Sequence, residues 1–411
     1  VGALAAKTDV IIAGAGPAGL ATALYLLRDR PDLAGRLLIL EKSAHPRFKT
    51  CAGGLIPKTM LAMEELGLGL GVPSATVMRA LARTPVGELE IERPEPVCTV
   101  VRRDEFDARL AHAARERGAA ILEHYRVLGV EQDAHGVRVA TDRGSIGGLV
   151  LVGADGSGSR VRACVFGASK DAIGRALMAD IPADPDRAPE FADQRSVFDF
   201  RCVGRGIAGY AWSFPCLVGG RPHLNVGIYD QRPHGGSGSE GEQALIVSAL
   251  RASFPELPLD GIGRRAFAFR AFPIRGFDAR NRFACGRTIL AGDAAGVDPL
   301  MGEGISYAFE HGKLAATAIV RFLAGDARAL EQYDLALHRG PPGRKLGKLA
   351  FAARHFFGPH HRMLFRGAMI SRRAAEIGVD WYNGAHHLDE CSIAALVARW
   401  TRAVLFGPAL G

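Results

Sequence analysis

The stretch "DVIIAGAGPAG", Asp9 to Gly19, decides how the rest of the chain is read. Asp9 to Ala13 is a short apolar strand, "GAGPAG" follows at once, and "LATALYLLRDR" continues as a helical pattern. Gly14 permits a tight turn, Gly16 lets a pyrophosphate approach the backbone, and Gly19 lets the helix pack close to the strand. The helix N-terminus then faces the phosphate charge. A lone GxGxxG is weak, because such turns also serve packing alone. Here a second strand, "RLLIL", ends in Glu41, 22 residues past Gly19, where a carboxylate accepts hydrogen bonds from a ribose. Together they point to a dinucleotide site.

Two further stretches narrow the dinucleotide. "LVLVGADGSGSRVR", Leu149 to Arg162, is an apolar strand ending in Asp155-Gly156. "TILAGDAAGVDPLMGEGISYAFEHGKLAATAIVRFL", Thr288 to Leu323, is a strand, a glycine-rich loop and a long amphipathic helix. Asp293 sits at the strand end, where its carboxylate can bind a polyol hydroxyl. Gly302 and Gly304 leave the next helix start bare, so its positive end can stabilise negative charge on a bound ring. Each motif alone is an ordinary strand-to-helix turn; three in this order are specific.

From about Asp9 to Leu323 the sequence resembles the FAD-dependent oxidoreductases of the para-hydroxybenzoate hydroxylase fold. The resemblance implies an α/β (α+β overall) chain with a Rossmann-like FAD-binding domain, an antiparallel-sheet substrate domain and a C-terminal helical region. It implies that Gly14, Gly16, Pro17, Ala18, Gly19, Glu41 and Lys42 hold the AMP half of FAD, Glu41 on the ribose. Asp293 would take the ribitol, and Pro299, Gly302, Gly304 and Ile305 would belong to the loop and helix start beside the flavin. Arg103, in "VVRRDEFDARLAHAA", falls where the superfamily places an arginine near FAD; it also reads as a surface charge opening a helix, with Arg102 an equally basic neighbour.

Within that superfamily "KTCAGG", Lys49 to Gly54, looks like the cysteine-and-glycine loop of the geranylgeranyl reductase family, which passes close to the isoalloxazine ring. Cys51, Gly53 and Gly54 would then contact the cofactor. Ala52 stands where that family commonly has a third glycine. "YAWSFPCLVGGRPHLNVGIYD", Tyr210 to Asp230, resembles the family's Tyr-x-Trp-x-Phe-Pro signature followed by an Asn-Val-Gly strand. Tyr210, Trp212 and Phe214 alternate, so they share one strand face, either as sheet core or as the wall of a substrate pocket. Cys51 reads equally as a small buried hydrophobe and as a catalytic group that positions substrate or donates a proton.

The resemblance implies reduction of carbon-carbon double bonds in a polyprenyl or other long apolar substrate, with hydride from reduced FAD and a proton from a protein acid or water. The runner-up is a monooxygenase or halogenase of the same fold, although "YAWSFP" is only a partial version of the halogenase Trp-x-Trp-x-Ile-Pro motif. A flavin-binding protein without catalysis is a third reading. The electron donor, NAD(P)H or a small redox protein acting as a reductase partner, is not named by the sequence.

Bulk properties fit a folded protein. Of 411 residues, 48% are hydrophobic and 23% charged. The formal charge of +8 is spread along the chain, which points away from nucleic acid and leaves open an attraction to an anionic substrate or membrane surface. Seven cysteines without a CxxC pair argue against a disulfide framework or a zinc site, and the adjacent pairs His360-His361 and His386-His387 lack metal-site spacing. No apolar run spans a membrane, so a cytoplasmic protein is expected, peripheral to a membrane at most.

The resemblance implies a FAD-binding domain assembled from residues 1–75, 98–170 and 275–335; the alternation and Pro/Gly turns of 76–97 and 171–274 read as an antiparallel-sheet substrate domain, and 336–411 as a helical region. "HGGSGSEGEQ", His234 to Gln243, reads as a surface loop. In the tail, "KLAFAARHFFGPHHRMLFRGAMISRR", Lys348 to Arg373, interleaves aromatic and basic residues and reads either as a membrane-surface segment or as a packed helix with snorkelling arginines. "DWYNGAHHL", Asp380 to Leu388, is a candidate for closing one end of a cavity.

Overall fold

The computed structural model describes residues 8–167, 173–231, 240–257, 270–370, 372–384 and 391–406. Residues 234–239 of the expected surface loop and the His386-His387 pair lie outside these.

The opening strand is Val10–Ala13, and every residue of it is buried. Apolar side chains on both faces require cover on both faces, which a parallel sheet flanked by helices supplies. The strand lies inside a sheet ordered Ala284–Cys285, Thr288–Leu290, Val150–Gly153, Val10–Ala13, Leu37–Glu41, Ala120–Glu123. Its neighbours run parallel to it, with Val10 opposite both Val150 and Leu37. Three stretches far apart in sequence thus bring their C-terminal strand ends to one edge, where ligands bind in such sheets.

Helix Pro17–Asp29 follows the first strand through the glycine turn. A Cβ on Gly19 would lie 2.0 Å from the Gly14 carbonyl oxygen, so only glycine lets helix and strand approach this closely. The same helix packs on helix Ile305–Leu323, where a Cβ on Gly312 would meet the Thr22 amide nitrogen at 2.8 Å.

A second sheet, among the described residues, is ordered Arg270–Arg275, Ile173–Pro182, Arg221–Asp230, Gly209–Val218, Arg195–Asp199, Arg79–Thr84, Gly87–Glu92. It is antiparallel except where Arg195–Asp199 meets Arg79–Thr84, a parallel pair. Those two strands are distant in sequence and are not joined by a hairpin, so no turn forces them antiparallel. A small sheet of Gly54–Leu55, Cys98–Val101 and Ser74–Val77 lies beneath it.

Beyond Leu323 the chain is helical: Ala329–Arg339, Pro341–Phe356, His361–Ile370, Arg372–Asn383 and Ile393–Phe406. The "RGPPGRK" break is the junction of the first two, with Gly340 at the boundary and Pro341 opening the next helix. Among the described residues no helix is long and apolar enough to cross a membrane.

Candidate active site

One large cavity of about 1230 Å³ runs between the two main sheets. At one end lie Gly14, Gly16, Pro17, Ala18, Glu41, Lys42, Arg47, Gly156, Gly158 and Asp293. Gly14 adopts φ +103°, and a Cβ there would sit 2.3 Å from the Ala154 carbonyl oxygen. A Cβ on Gly158 would meet nothing within 4 Å, and one on Gly16 would meet only the Arg47 guanidinium at 3.6 Å. These are bare stretches of backbone facing open space. Helix Pro17–Asp29 has no side chain bonded at its N-cap and no acid in its first turn, so its first amides are free to meet an anion.

The buried Glu41 carboxylate accepts from the Ala15 amide at 2.9 Å through Oε2 and from the Ser43 amide at 3.0 Å through Oε1. A carboxylate has about four lone-pair sites, so both oxygens can still accept from hydroxyls. Asp293 accepts from the Ser157 hydroxyl at 3.1 Å through Oδ2. Arg103 is buried, clamped by Asp107 in two bonds of 2.8 and 3.0 Å, and lines the cavity. Arg102 turns the other way, to Asp180. Uncapped amides, bare glycine backbone, two hydroxyl-accepting carboxylates and a fixed guanidinium fit the parts of a flavin dinucleotide.

The loop Lys49 to Gly54 lines the middle of the cavity. Gly53 holds φ +81° and its Cβ would lie 2.0 Å from the Val101 carbonyl oxygen. The Cys51 amide donates to the Met178 sulfur at 3.1 Å, and its carbonyl accepts from Asn225 Nδ2 at 3.5 Å, so the second sheet holds this loop. Lys49 places its ammonium 2.8 Å from the centroid of the Phe272 ring; burial pushes that ammonium down to about 8, against the opposing pull of Asp293. Facing the loop, Tyr210, Trp212 and Phe214 are buried and line the cavity from strand Gly209–Val218. Trp212 Nε1 donates to Asn225 Oδ1 at 2.8 Å.

Residues 300–304 line the cavity from the loop before helix Ile305–Leu323. The Tyr210 hydroxyl donates to the Met301 carbonyl at 2.6 Å and the Tyr229 hydroxyl to the Pro299 carbonyl at 3.3 Å. Burial, with the neighbouring Glu303 carboxylate adding to it, pushes the Asp298 carboxyl up to about 7 even though the Leu300 and Met301 amides donate to it. Glu303 accepts from the Ser306 amide at 2.7 Å, so one amide of the 305–323 helix start is already partnered.

The other end of the cavity is apolar. Leu89, Ile91, Phe198 and Phe200 meet Phe351, Phe356, Phe365, Ala368 and Met369 of the tail. The aromatic residues of Lys348 to Arg373 therefore face inward, and Trp381, Tyr382 and Asn383 line the same cavity.

Of the residues singled out in the sequence, all line this cavity except Gly19 and Pro299. Gly19 lies under the turn against Gly14, and Pro299 packs on Gly276. Sequence reasoning passed over Arg47, and it quoted Lys49 in the KTCAGG loop and Asn225 in the Asn-Val-Gly strand without giving either a role of its own. Arg47 was recognisable only by its position a few residues past Glu41.

The FAD binding domain family matches residues 7–339. Menaquinone reductase of Mycobacterium tuberculosis is 30% identical over 75% of this chain and 76% of its own. The 12-dehydrotetracycline 5-monooxygenase/anhydrotetracycline 6-monooxygenase of Streptomyces rimosus is 28% identical over 80% of this chain and 66% of its own. A geranylgeranyl bacteriochlorophyll reductase-like protein of Thermoplasma acidophilum, at 19% identity, shares the fold with a TM-score of 0.71 over 97% of this chain and 96% of its own. The glycine turn, the two carboxylates and the match over most of the chain converge: this chain belongs to the FAD binding domain family and is an FAD-dependent oxidoreductase of the para-hydroxybenzoate hydroxylase fold.

Proposed function

We propose that this oxidoreductase reduces carbon-carbon double bonds of a polyprenyl or other long apolar substrate. The observation that carries this reading is the continuity of the cavity, from the glycine turn past the Cys51 loop to an end walled by phenylalanines and Met369. A cavity larger than the usual upper range of about 1,000 Å³ has room for a cofactor and an extended second ligand together.

In this reading Gly14, Gly16, Pro17, Ala18, Glu41 and Lys42 would hold the adenosine and pyrophosphate parts of FAD, and Asp293 the ribitol. Arg103, Cys51, Gly53, Gly54, Gly302, Gly304 and Ile305 would border the flavin ring. Bound FAD, once reduced, supplies the hydride. Tyr210, Trp212 and Phe214 form one wall and orient an apolar chain across the cavity, while the tail phenylalanines keep water from its far end. Cys51 lines the cavity with its Sγ accepting from the Gly53 amide at 3.4 Å, and it is the candidate to position the double bond or deliver the proton.

The test is anaerobic. Protein reduced with dithionite is mixed with geranylgeranyl diphosphate or a prenylated lipid while flavin absorbance and product mass are followed. Reoxidation with a gain of two hydrogens supports the reading. A flavin that stays reduced until oxygen is admitted, followed by a product carrying oxygen or halogen, replaces it with monooxygenase or halogenase chemistry.

A further inference from the structure

The exposed apolar side chains concentrate at one place. Met363, Ile393, Val397, Leu405 and Phe406 are exposed by 65%, 39%, 49%, 67% and 79%, and all stand on helices His361–Ile370 and Ile393–Phe406, which pack together. Ile393 and Val397 also line the cavity, so the outer patch and the apolar end of the cavity share residues. Arg362, Arg366, Arg399 and Arg402 are exposed on the same two helices, and neither helix contains an Asp or Glu. On the adjoining helix Arg372–Asn383, Glu376 and Asp380 are held by Arg372 and Arg93.

We propose that this face docks on an anionic lipid bilayer and that the mouth of the cavity opens there, so that a lipid-borne substrate passes from the bilayer into the cavity. Apolar side chains of an interfacial helix enter the boundary between headgroups and acyl chains, and arginines at its margins reach the lipid phosphates. A second copy of the chain is the poorer occupant. In a two-fold dimer the patch would meet itself, setting arginines of both helices against each other with no acid from either helix between them. Of the stretch Lys348 to Arg373, read as a membrane-surface segment or as a packed helix, the phenylalanines line the cavity, while Arg362, Met363 and Arg366 are exposed and continue onto the last described helix.

The use of the cavity by a lipid rests on the function proposed above; the docking does not. Flavin-loaded protein is sedimented with phosphatidylglycerol vesicles and with phosphatidylcholine vesicles, without substrate. Binding to the former is expected, weakening as salt rises. Arg399→Gln and Arg402→Gln should each reduce partitioning roughly fivefold, and Leu405→Asp with Phe406→Asp should abolish it. Leu61→Asp and Leu335→Asp, at exposed positions elsewhere, should leave it unchanged. Retained flavin absorbance verifies that each variant is folded. Absence of vesicle binding in the parent overturns the proposal, as does equal binding by parent and arginine variants. A parent dimer that the Leu405 and Phe406 substitutions convert to monomer, without vesicle binding, assigns the face to a subunit contact. Because no substrate is present, failure here leaves the anaerobic test standing, and the reverse holds as well.

Discussion

Trp212 lies across Gly227 on the neighbouring strand, so that a Cβ on Gly227 would fall 2.2 Å from the indole Cζ2, and its Nε1 bonds Asn225 two residues away on that strand. This explains why the aromatic signature and the Asn-Val-Gly strand occur together: the glycine makes room for the ring and the asparagine fixes its edge. Asn225 also donates to Asp180 at 2.8 Å, and Asp180 accepts from Arg102. One amide thus ties the cavity wall, the Cys51 loop and the half-buried Asp180 carboxylate together.

Asn225→Leu is expected to cost about 1–3 kcal/mol, because it leaves the indole N–H without its partner. Gly227→Ala should displace the indole at a cost of about 1–3 kcal/mol through overpacking. Urea unfolding gives both values, and tryptophan fluorescence reports the displacement. A parent-like emission spectrum in Gly227→Ala would contradict the packing described.

Glu41→Ala removes the acceptor of the Ala15 and Ser43 amides and of any ribose hydroxyl. FAD affinity is expected to fall roughly ten- to hundredfold, the equivalent of losing about 1.5–3 kcal/mol of charge-assisted hydrogen bonding. Titration of the apoprotein with FAD, read by flavin fluorescence, measures it, and an unchanged Kd would remove Glu41 from the cofactor site.

Asp298 provides a pH test. Its carboxyl is held up to about 7, so across the window from about pH 4 to that value the folded chain keeps a proton the unfolded chain has released. This group therefore makes stability fall as pH rises through the window. Asp298→Asn should remove that contribution, so its stability relative to the parent should increase between those limits. Melting temperatures measured at several pH values would show parallel curves if the carboxyl is ionised throughout.

Cys51→Ser separates the two roles of the thiol. If Cys51 delivers the proton, turnover should fall about 10²- to 10⁴-fold while FAD binding is kept. Full turnover would end the proton-donor role and leave positioning.

Ala368→Phe places a ring in the apolar end of the cavity. The kcat/KM for a twenty-carbon prenyl substrate should fall about tenfold, with a smaller change for a ten-carbon one. An equal effect on both lengths would argue that the long chain does not reach Ala368.

The fold was legible where chemistry depends on short spacing. The glycine turn before Pro17, the acid closing strand Leu37–Glu41 and the strand-loop-helix around Asp293 are local patterns, and one fold accommodates all three. Alternation likewise placed Tyr210, Trp212 and Phe214 on one face. What local pattern cannot express is which distant segments meet. Asn225 is an ordinary strand residue until the Cys51 carbonyl and the Trp212 indole are brought to it, and Phe365 is one more helix aromatic until it packs on Phe200, 5.3 Å between ring centroids. The parallel pairing of Arg195–Asp199 with Arg79–Thr84 arises in the same way, since no turn between them announces it.

The wall formed by Phe351, Phe365, Ala368 and Met369 lies beyond residue 339, where the FAD binding domain match ends. The cavity is therefore assembled from two stretches of the chain, joined where Leu346 and Leu349 pack into the same core as the first sheet. Substitutions at these lining positions reshape the room offered to a guest while leaving every residue of the glycine turn and both carboxylates unchanged. For an engineer, libraries confined to the cavity-lining positions among the last 71 of the chain's 411 would sample guest size without altering the glycine turn.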